Sequence, residues 1–319
     1  MSQPPADGDQ PGDPNQQPPF PGPFGVPYYP ALPAGDPRFF PGDPLVSADF
    51  AGWWRRAFAI SRRAWRPLAL VQAITAVPAL ALLIPAQIFY DLASRHFFDD
   101  LAAERTPGFQ GFLSASLVFY VALVLASLIS AFGTLACVRL VADVALGREA
   151  RAGRALRSVV RRLPALIGWT LLGGLLACAA VLACFLPVFY VAAVLVILPV
   201  VVLFEPGGGI SRCFQLFHTD LGAAVARIAT IAGVALAVAI PATVLGALAS
   251  AVTQGSAFPD PQAAAASTAA IAVGSVIGTV LTSVASVISG VLLTPLIVAT
   301  YADLRARREP FVTAYLATE

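Results

Sequence analysis

Residues 147–163 read GREARAGRALRSVVRRL, six arginines and one glutamate between two long apolar blocks. A hydrocarbon core does not admit such a stretch, because a guanidinium at mid-depth is strongly disfavoured. The stretch is therefore a connector held on one face of a membrane, and it fixes the orientation of the apolar blocks on either side.

The composition agrees. Hydrophobic residues make up 58% of the 319 and charged residues 12%, against about 45–50% and about 25% in soluble domains. The excess is gathered into runs long enough to cross a bilayer. They fall near 68–89, 112–138, 164–185, 188–204, 224–250 and 268–300. The expected fold class is an all-α integral membrane protein with six transmembrane helices. All 20 basic residues are arginine. This lysine-free, Ala/Val/Leu-rich usage points to a high-GC bacterial source. Cys137, Cys178, Cys184 and Cys213 show no C-x-x-C spacing and read as small buried apolar residues.

Residues 1–47 hold 14 of the 27 prolines and six glycines. They cannot bury enough apolar surface to offset their ordering entropy, so a disordered cytosolic tail is expected. Its aromatic and proline content suits a protein partner. The start, MSQPPADGDQ, has no basic region and no apolar region of a signal peptide, so the first span is expected to act as the membrane signal. Residues 48–66, ADFAGWWRRAFAISRRAWR, read as a separate interfacial helix capped by Asp49, with Pro67 opening the next helix. Trp53 and Trp54 are expected at headgroup level, with Arg55, Arg62 and Arg66 on anionic lipid.

Orientation follows from counting arginines. The stretch before the first span has five, the 147–163 connector six, the 206–227 connector two and the C-terminal stretch three. The opposite loops hold only Arg95 and Arg105. The positive-inside rule then places both termini in the cytoplasm of a bacterial inner membrane. The layout also predicts three repeats, 48–146, 147–205 and 206–302, each an interfacial helix followed by a helical hairpin. The membrane domain is expected to span 48–311, with 312–319 as a cytosolic tail.

Three stretches carry a family resemblance. They are FEPGGGISRCFQLFHTDLG (204–222), TPLIVATYADLRARREPF (294–311) and the Leu146-Gly147-Arg148 lead into the basic connector. Over 48–311 the chain resembles the bacterial membrane-domain family named for glycerophosphoryl diester phosphodiesterase. Asp303-Leu304-Arg305 is the most specific element. Tyr301-Ala302-Asp303 stands where Tyr-Tyr-Asp is usual, and Pro310 where glycine is common. The resemblance implies the membrane domain alone. The catalytic barrel of such enzymes carries a His-Arg-Gly motif, whereas His96 and His218 are the only histidines here and neither precedes Arg-Gly.

No residue pattern points to a catalytic, cofactor or metal site. HExxH and GxSxG are absent, and GGGIS (207–211) lacks the lysine of a phosphate-binding loop. The middles of the six spans lack Asp, Glu, Arg and His, which argues against ion-coupled transport. Arg139 and Asp143 lie one helical turn apart, and Glu205 is expected to pair with Arg212 and pin the helix after it. Gly274 and Gly278 form a GxxxG spacing. Thr282, Ser286 and Ser289 continue that small face and are expected to hydrogen-bond the preceding turn in tight helix packing.

The expected function is structural or accessory, with arginine-rich interfacial helices engaging anionic lipid or a protein partner and no nucleic acid. The lipid-facing set comprises Trp53, Trp54, Arg55, Arg62 and Arg66; Arg148, Arg151, Arg154, Arg157, Arg161 and Arg162; and Arg305, Arg307 and Arg308. The rival is a lipid or small-molecule transporter. A continuous cavity reaching the membrane midplane would favour the rival, and a dry bundle the accessory role.

Overall fold

The structure, a computed structural model, describes residues 42–183, 185–205, 207–253 and 268–317. The tail expected over 1–47 lies outside the described residues except for 42–47, and so do Cys184 and the loop 254–267. Among the described residues six helical stretches are long and apolar enough to cross a membrane, Pro187–Phe204 being the fourth. Among the described residues there is no strand.

Helix α1 runs unbroken from Phe50 to Ala102. Asp49 caps it, accepting from the Gly52 N–H at 3.2 Å. The separate interfacial helix expected over 48–66 is therefore the first part of α1, and Pro67 lies inside the helix. At ~1.5 Å per residue the helix is about 80 Å long, well beyond a hydrocarbon core of ~30 Å. It projects past the spanning part at both ends. The acidic stretch 90–102, expected as a loop, continues the helix. Aromatic packing explains this: Phe97 lies 4.7 Å from Phe112, and Tyr90 lies 5.1 Å from Phe119, both across to α2 (Phe109–Ala145).

The basic connector forms a short helix, α3 (Ala152–Val159), which passes through one 3-10 turn into α4 (Leu163–Ala183). Ala155 and Val159 face inward and the arginines face out. The apolar stretch expected as one span over 188–204 keeps the length of a span but carries a turn within it. It forms α5 (Phe185–Leu195) and α6 (Leu198–Phe204), with a turn at 196–197. Pro199 sits in the first turn of α6, lacks an N–H to continue the earlier helix, and disfavours helical geometry at the residue before it. The chain then forms α7 (Ile210–Phe217), α8 (Leu221–Thr253) and α9 (Thr268–Arg308). Gly209 opens α7 under the ring of Trp169, where a Cβ would come within 2.1 Å of the indole.

Helices α1 and α9 pack side by side at the centre, α2 flanks α1, and α8 flanks α9. Helices α4 and α5 pack mainly on each other. The close approach of α8 and α9 is made by Gly246 and Gly278: a Cβ on Gly246 would stand 3.3 Å from the Gly278 Cα. The buried core is concentrated at the basic end. Trp53, Leu68, Leu135, Phe204, Leu216 and Tyr301 are fully enclosed there. Farther along the spans the apolar side chains point outward, Leu117 at 65% and Leu182 at 88% exposure. Such a surface suits lipid.

The described parts of two expected tails, 42–47 and 312–317, pack on the fold. Leu45, Val46 and Ser47 are buried, as are Phe311, Val312, Thr313 and Leu316. Asp43 joins them. It accepts from the Leu45 and Val46 N–H groups, each at 2.9 Å, and from the Thr313 N–H at 2.7 Å and the Thr313 hydroxyl. Buried structure thus continues past residues 48 and 311 at both ends. The physical reason is this clasp, whose partners are 270 residues apart in sequence.

Candidate functional site

The last turns of α9 carry Tyr301, Asp303, Arg305, Arg307 and Glu309 at alternate positions. On a helix this spacing splits them into two sets, 301/305/309 and 303/307, each repeating every fourth residue. The first set meets Glu205 and Arg212. Arg212 donates to Glu205 at 2.6 Å and to Glu309 at 2.8 Å. Tyr301 donates to Glu205 at 2.7 Å, and Arg305 donates to the Tyr301 hydroxyl at 2.8 Å. The Arg305 guanidinium also stands 4.8 Å from the Phe311 ring. This network ties α7 to the end of α9.

The second set is deeper. Asp303 is fully buried, and Arg227 of α8 reaches it at 2.8 Å while itself only 2% exposed. Arg307 reaches the same carboxylate at 3.0 Å, bridges to Asp220, and donates to the Ala48 carbonyl at 3.1 Å. The Arg227 guanidinium lies 5.8 Å from the Trp53 ring, a cation–π contact. A buried carboxylate is tolerated only when paired, and here two guanidinium groups pair it. Helices α1, α8 and α9 are locked together at this point.

Charge states in the exposed part of the cluster follow. The Asp220 carboxyl is held below the usual carboxylate range, first by the Ala223 N–H at the start of α8 and then by Arg307. Burial would raise the Glu309 carboxyl, but the hydrogen bond from Arg305 and the charge of Arg212 outweigh it, and the net direction is down. Burial pushes the Cys213 thiol up to about 12, so it stays a neutral packing group.

One turn before Tyr301 on α9, a groove begins. It has a volume of about 740 Å³ and is lined from α1, α2, α8 and α9. Along α9 it runs from Ser275 to Ile297, about 33 Å at ~1.5 Å per residue, which is close to the ~30 Å hydrocarbon thickness. Its floor is the α1–α9 contact. Its walls come from α2, which packs on α1, and α8, which packs on α9. Among the described residues, none of α4 or α5 lines it. Gln72 lies near one end, where Gly290 makes room for its amide. At the other end Asp91 accepts from Gln87 at 2.8 Å and from the Ser275 hydroxyl. Between these ends Thr282 and Ser286 donate to the carbonyls one turn back, at 2.8 and 2.9 Å. Thr282 and Ser286 thus make the expected backbone bonds, yet with Ser289 they line a groove rather than a helix–helix contact.

The structure divides the residues singled out from sequence. Trp53, expected among lipid headgroups, is fully buried; α1 packs on α9, and Arg227 reaches the Trp53 ring from α8. Arg305 and Arg307 are likewise drawn into the ion-pair networks instead of facing lipid. Arg308 is exposed and donates to the Gln215 carbonyl at 3.1 Å. Trp54, Arg55, Arg62 and Arg66 face outward, as do Arg148, Arg154, Arg157 and Arg161, while Arg162 is half-buried. Arg151 is exposed and engages Glu149. Glu205 and Arg212 meet in the first network, and Arg139 lies 3.5 Å from Asp143.

Sequence reasoning missed Arg227, counted only as a connector charge, and Asp91, placed in a loop. The fourfold spacing of 301/305/309 and 303/307 was the signal available for the networks. No family model, curated protein or solved structure matches the chain.

Proposed function

We propose that the chain is a multi-pass protein of a bacterial cytoplasmic membrane that binds a lipid-like amphiphile in the α1/α2/α8/α9 groove and passes it between leaflets. One observation carries this reading: the groove is as long as the hydrocarbon core is thick, and the four helices that line it leave it open to the surface. Its ends offer carboxylate, amide and hydroxyl groups, while its lining mixes alanine and glycine with Leu83, Phe119, Leu123 and hydroxyls such as those of Thr282 and Ser286, whose protons are already engaged. Such a surface passes a headgroup without trapping it and leaves acyl chains in the bilayer. Among the described residues, no charged side chain lines its midsection, so the reading carries no coupling to a proton or ion there. The test is lipid translocation in proteoliposomes carrying a fluorescent phospholipid, read by quenching from outside. The wild type is expected to move the lipid, and Thr282→Trp, which fills the groove from an exposed position, to stop it. Equal rates for both would overturn the reading.

A second reading is favoured by the outward arginines. Arg62, Arg66, Arg154, Arg157 and Arg161 face away from the fold and make no ion pair among the described residues. On the cytoplasmic face they would draw anionic lipid to the protein, each contributing about 1 kcal/mol near the surface. This accessory role is compatible with the groove. Copurification of lipid and protein with the full chain and with a chain lacking residues 1–47 tests it and the tail's proposed partner. The likeness to the phosphodiesterase-associated membrane domains and the three-unit organisation belong to the same proposal. Supporting them, Tyr301, Asp303 and Arg305 all enter the networks, and short helices precede α4 and α8.

A further inference from the structure

A second groove, about 320 Å³, lies where α3 meets the α1–α2 hairpin. Ile74 and Pro78 of α1, Ile129 and Phe132 of α2, and Val160 just beyond α3 form its walls. Among the described residues that line it, Arg157 supplies the one charged group. Thr75 also lines it, but its hydroxyl is committed to the Val71 and Gln72 carbonyls, each at 3.1 Å. The concavity is therefore apolar with a single guanidinium beside it. Ile74 and Val160 remain about half exposed, at 47% and 50%.

Two features fix the chemistry of an occupant. Arg154, Arg157 and Arg161 share one side of the connector, at spacings of three and four, and none has a carboxylate partner among the described residues. Most of the apolar wall comes from α1 and α2, helices long and apolar enough to cross a membrane. A free aqueous anion would find charge but no apolar match. A neutral lipid would find apolar walls but leave the guanidinium groups unanswered. We propose that this groove binds one acyl chain of an anionic glycerophospholipid from the adjoining leaflet, with its phosphate on Arg157. The volume sits at the small end of the ~300–1,000 Å³ range of ligand sites, as suits one chain rather than a whole lipid. The inference rests on the accessory lipid-binding reading and gives it a specific site.

The experiment is native mass spectrometry of the full chain released from nanodiscs of phosphatidylcholine mixed with phosphatidylglycerol. The wild type is expected to retain phosphatidylglycerol preferentially. Arg157→Gln removes the charge and Val160→Trp fills the groove with the charge kept. Each is expected to lower retention about fivefold, the effect of one surface arginine for the first. Arg151→Gln, at a side chain engaged with Glu149, is expected to leave retention unchanged. Equal loss in Arg151→Gln and Arg157→Gln would overturn the site and leave the broader attraction of the basic face standing. No preference for phosphatidylglycerol in the wild type would overturn both. Displacement of the lipid by inorganic phosphate would reduce the site to an anion contact and overturn the acyl-chain assignment. Positions 151 and 157 are both exposed, so that pair decides the matter should Val160→Trp fail to fold.

Discussion

The basic end of the molecule and its membrane-spanning half are built by different rules. At the basic end, Trp53, Phe204, Leu216 and Tyr301 are sealed in a continuous core, and four arginines are tied to carboxylates. Farther along the same helices the apolar side chains face outward, and a groove remains among α1, α2, α8 and α9. The solvent explains the difference. Outside the hydrocarbon, water drives apolar groups together. Inside it, lipid tails are as apolar as leucine, so helices are held by small residues and backbone approach rather than by burial. The fold is fastened at one end and left open along its length.

The strongest way to break this contrast is at Asp303. Arg227→Ala would leave that carboxylate with Arg307 alone, and losing one partner of a buried ion pair costs about 3–5 kcal/mol. The expected outcome is a clear loss of thermal stability in detergent, followed by tryptophan fluorescence as Trp53 loses its cation. A change no larger than that of a surface arginine would refute the lock.

In the open half, the sensitive point is Gly246. Leucine there would force α8 off Gly278, and overpacking of this kind costs about 1–3 kcal/mol. Cross-linking between cysteines placed on α8 and α9 should fall, while the basic end keeps its protease resistance. The clasp at the edge of the core is a smaller test. Thr313→Val removes the hydroxyl bonded to Asp43, worth about 1 kcal/mol as a net hydrogen bond, and cleavage near residues 42–47 should rise.

Acid should loosen the packed end first. The Asp220 and Glu309 carboxyls are both shifted down in the folded chain. Their contribution is present above the ordinary carboxylate values near 4 and is lost as the pH falls through the lowered folded values. Stability should be flat from neutral pH to about 5 and decline below about 4. The smallest effect is expected at the outward arginines. Arg148→Gln should change stability by less than about 0.5 kcal/mol, which separates arginines that hold the fold from those that face its surroundings.

Much of the networks could be read from the order of residues. Tyr301, Arg305 and Glu309 fall on one helical face, Asp303 and Arg307 on another, and Glu205 with Arg212 brackets the glycine turn. Spacing shows which groups share a face; it does not show which distant helix that face meets. Arg227 and Trp53 illustrate the limit. One looks like a topological charge and the other like a headgroup anchor, yet they stack on each other. The groove was less legible still. Its hydroxyls, Thr282 and Ser286, read the same whether a helix covers them or not.

The sequence by itself determined the membrane character, the six long apolar stretches and the segregation of arginine into a few connectors. These are sums over neighbouring residues, and a helix passes such sums directly to its surroundings. Only the tertiary structure decided which arginines turn inward, that Asp43 holds Thr313, that the 188–204 stretch carries a turn at 196–197, and that α1, α2, α8 and α9 leave a groove among them. Those outcomes depend on helix crossings set by residues far apart in the chain. A crossing is decided by close contacts such as Gly246 on Gly278, whose physical effect appears only when both backbones are in place.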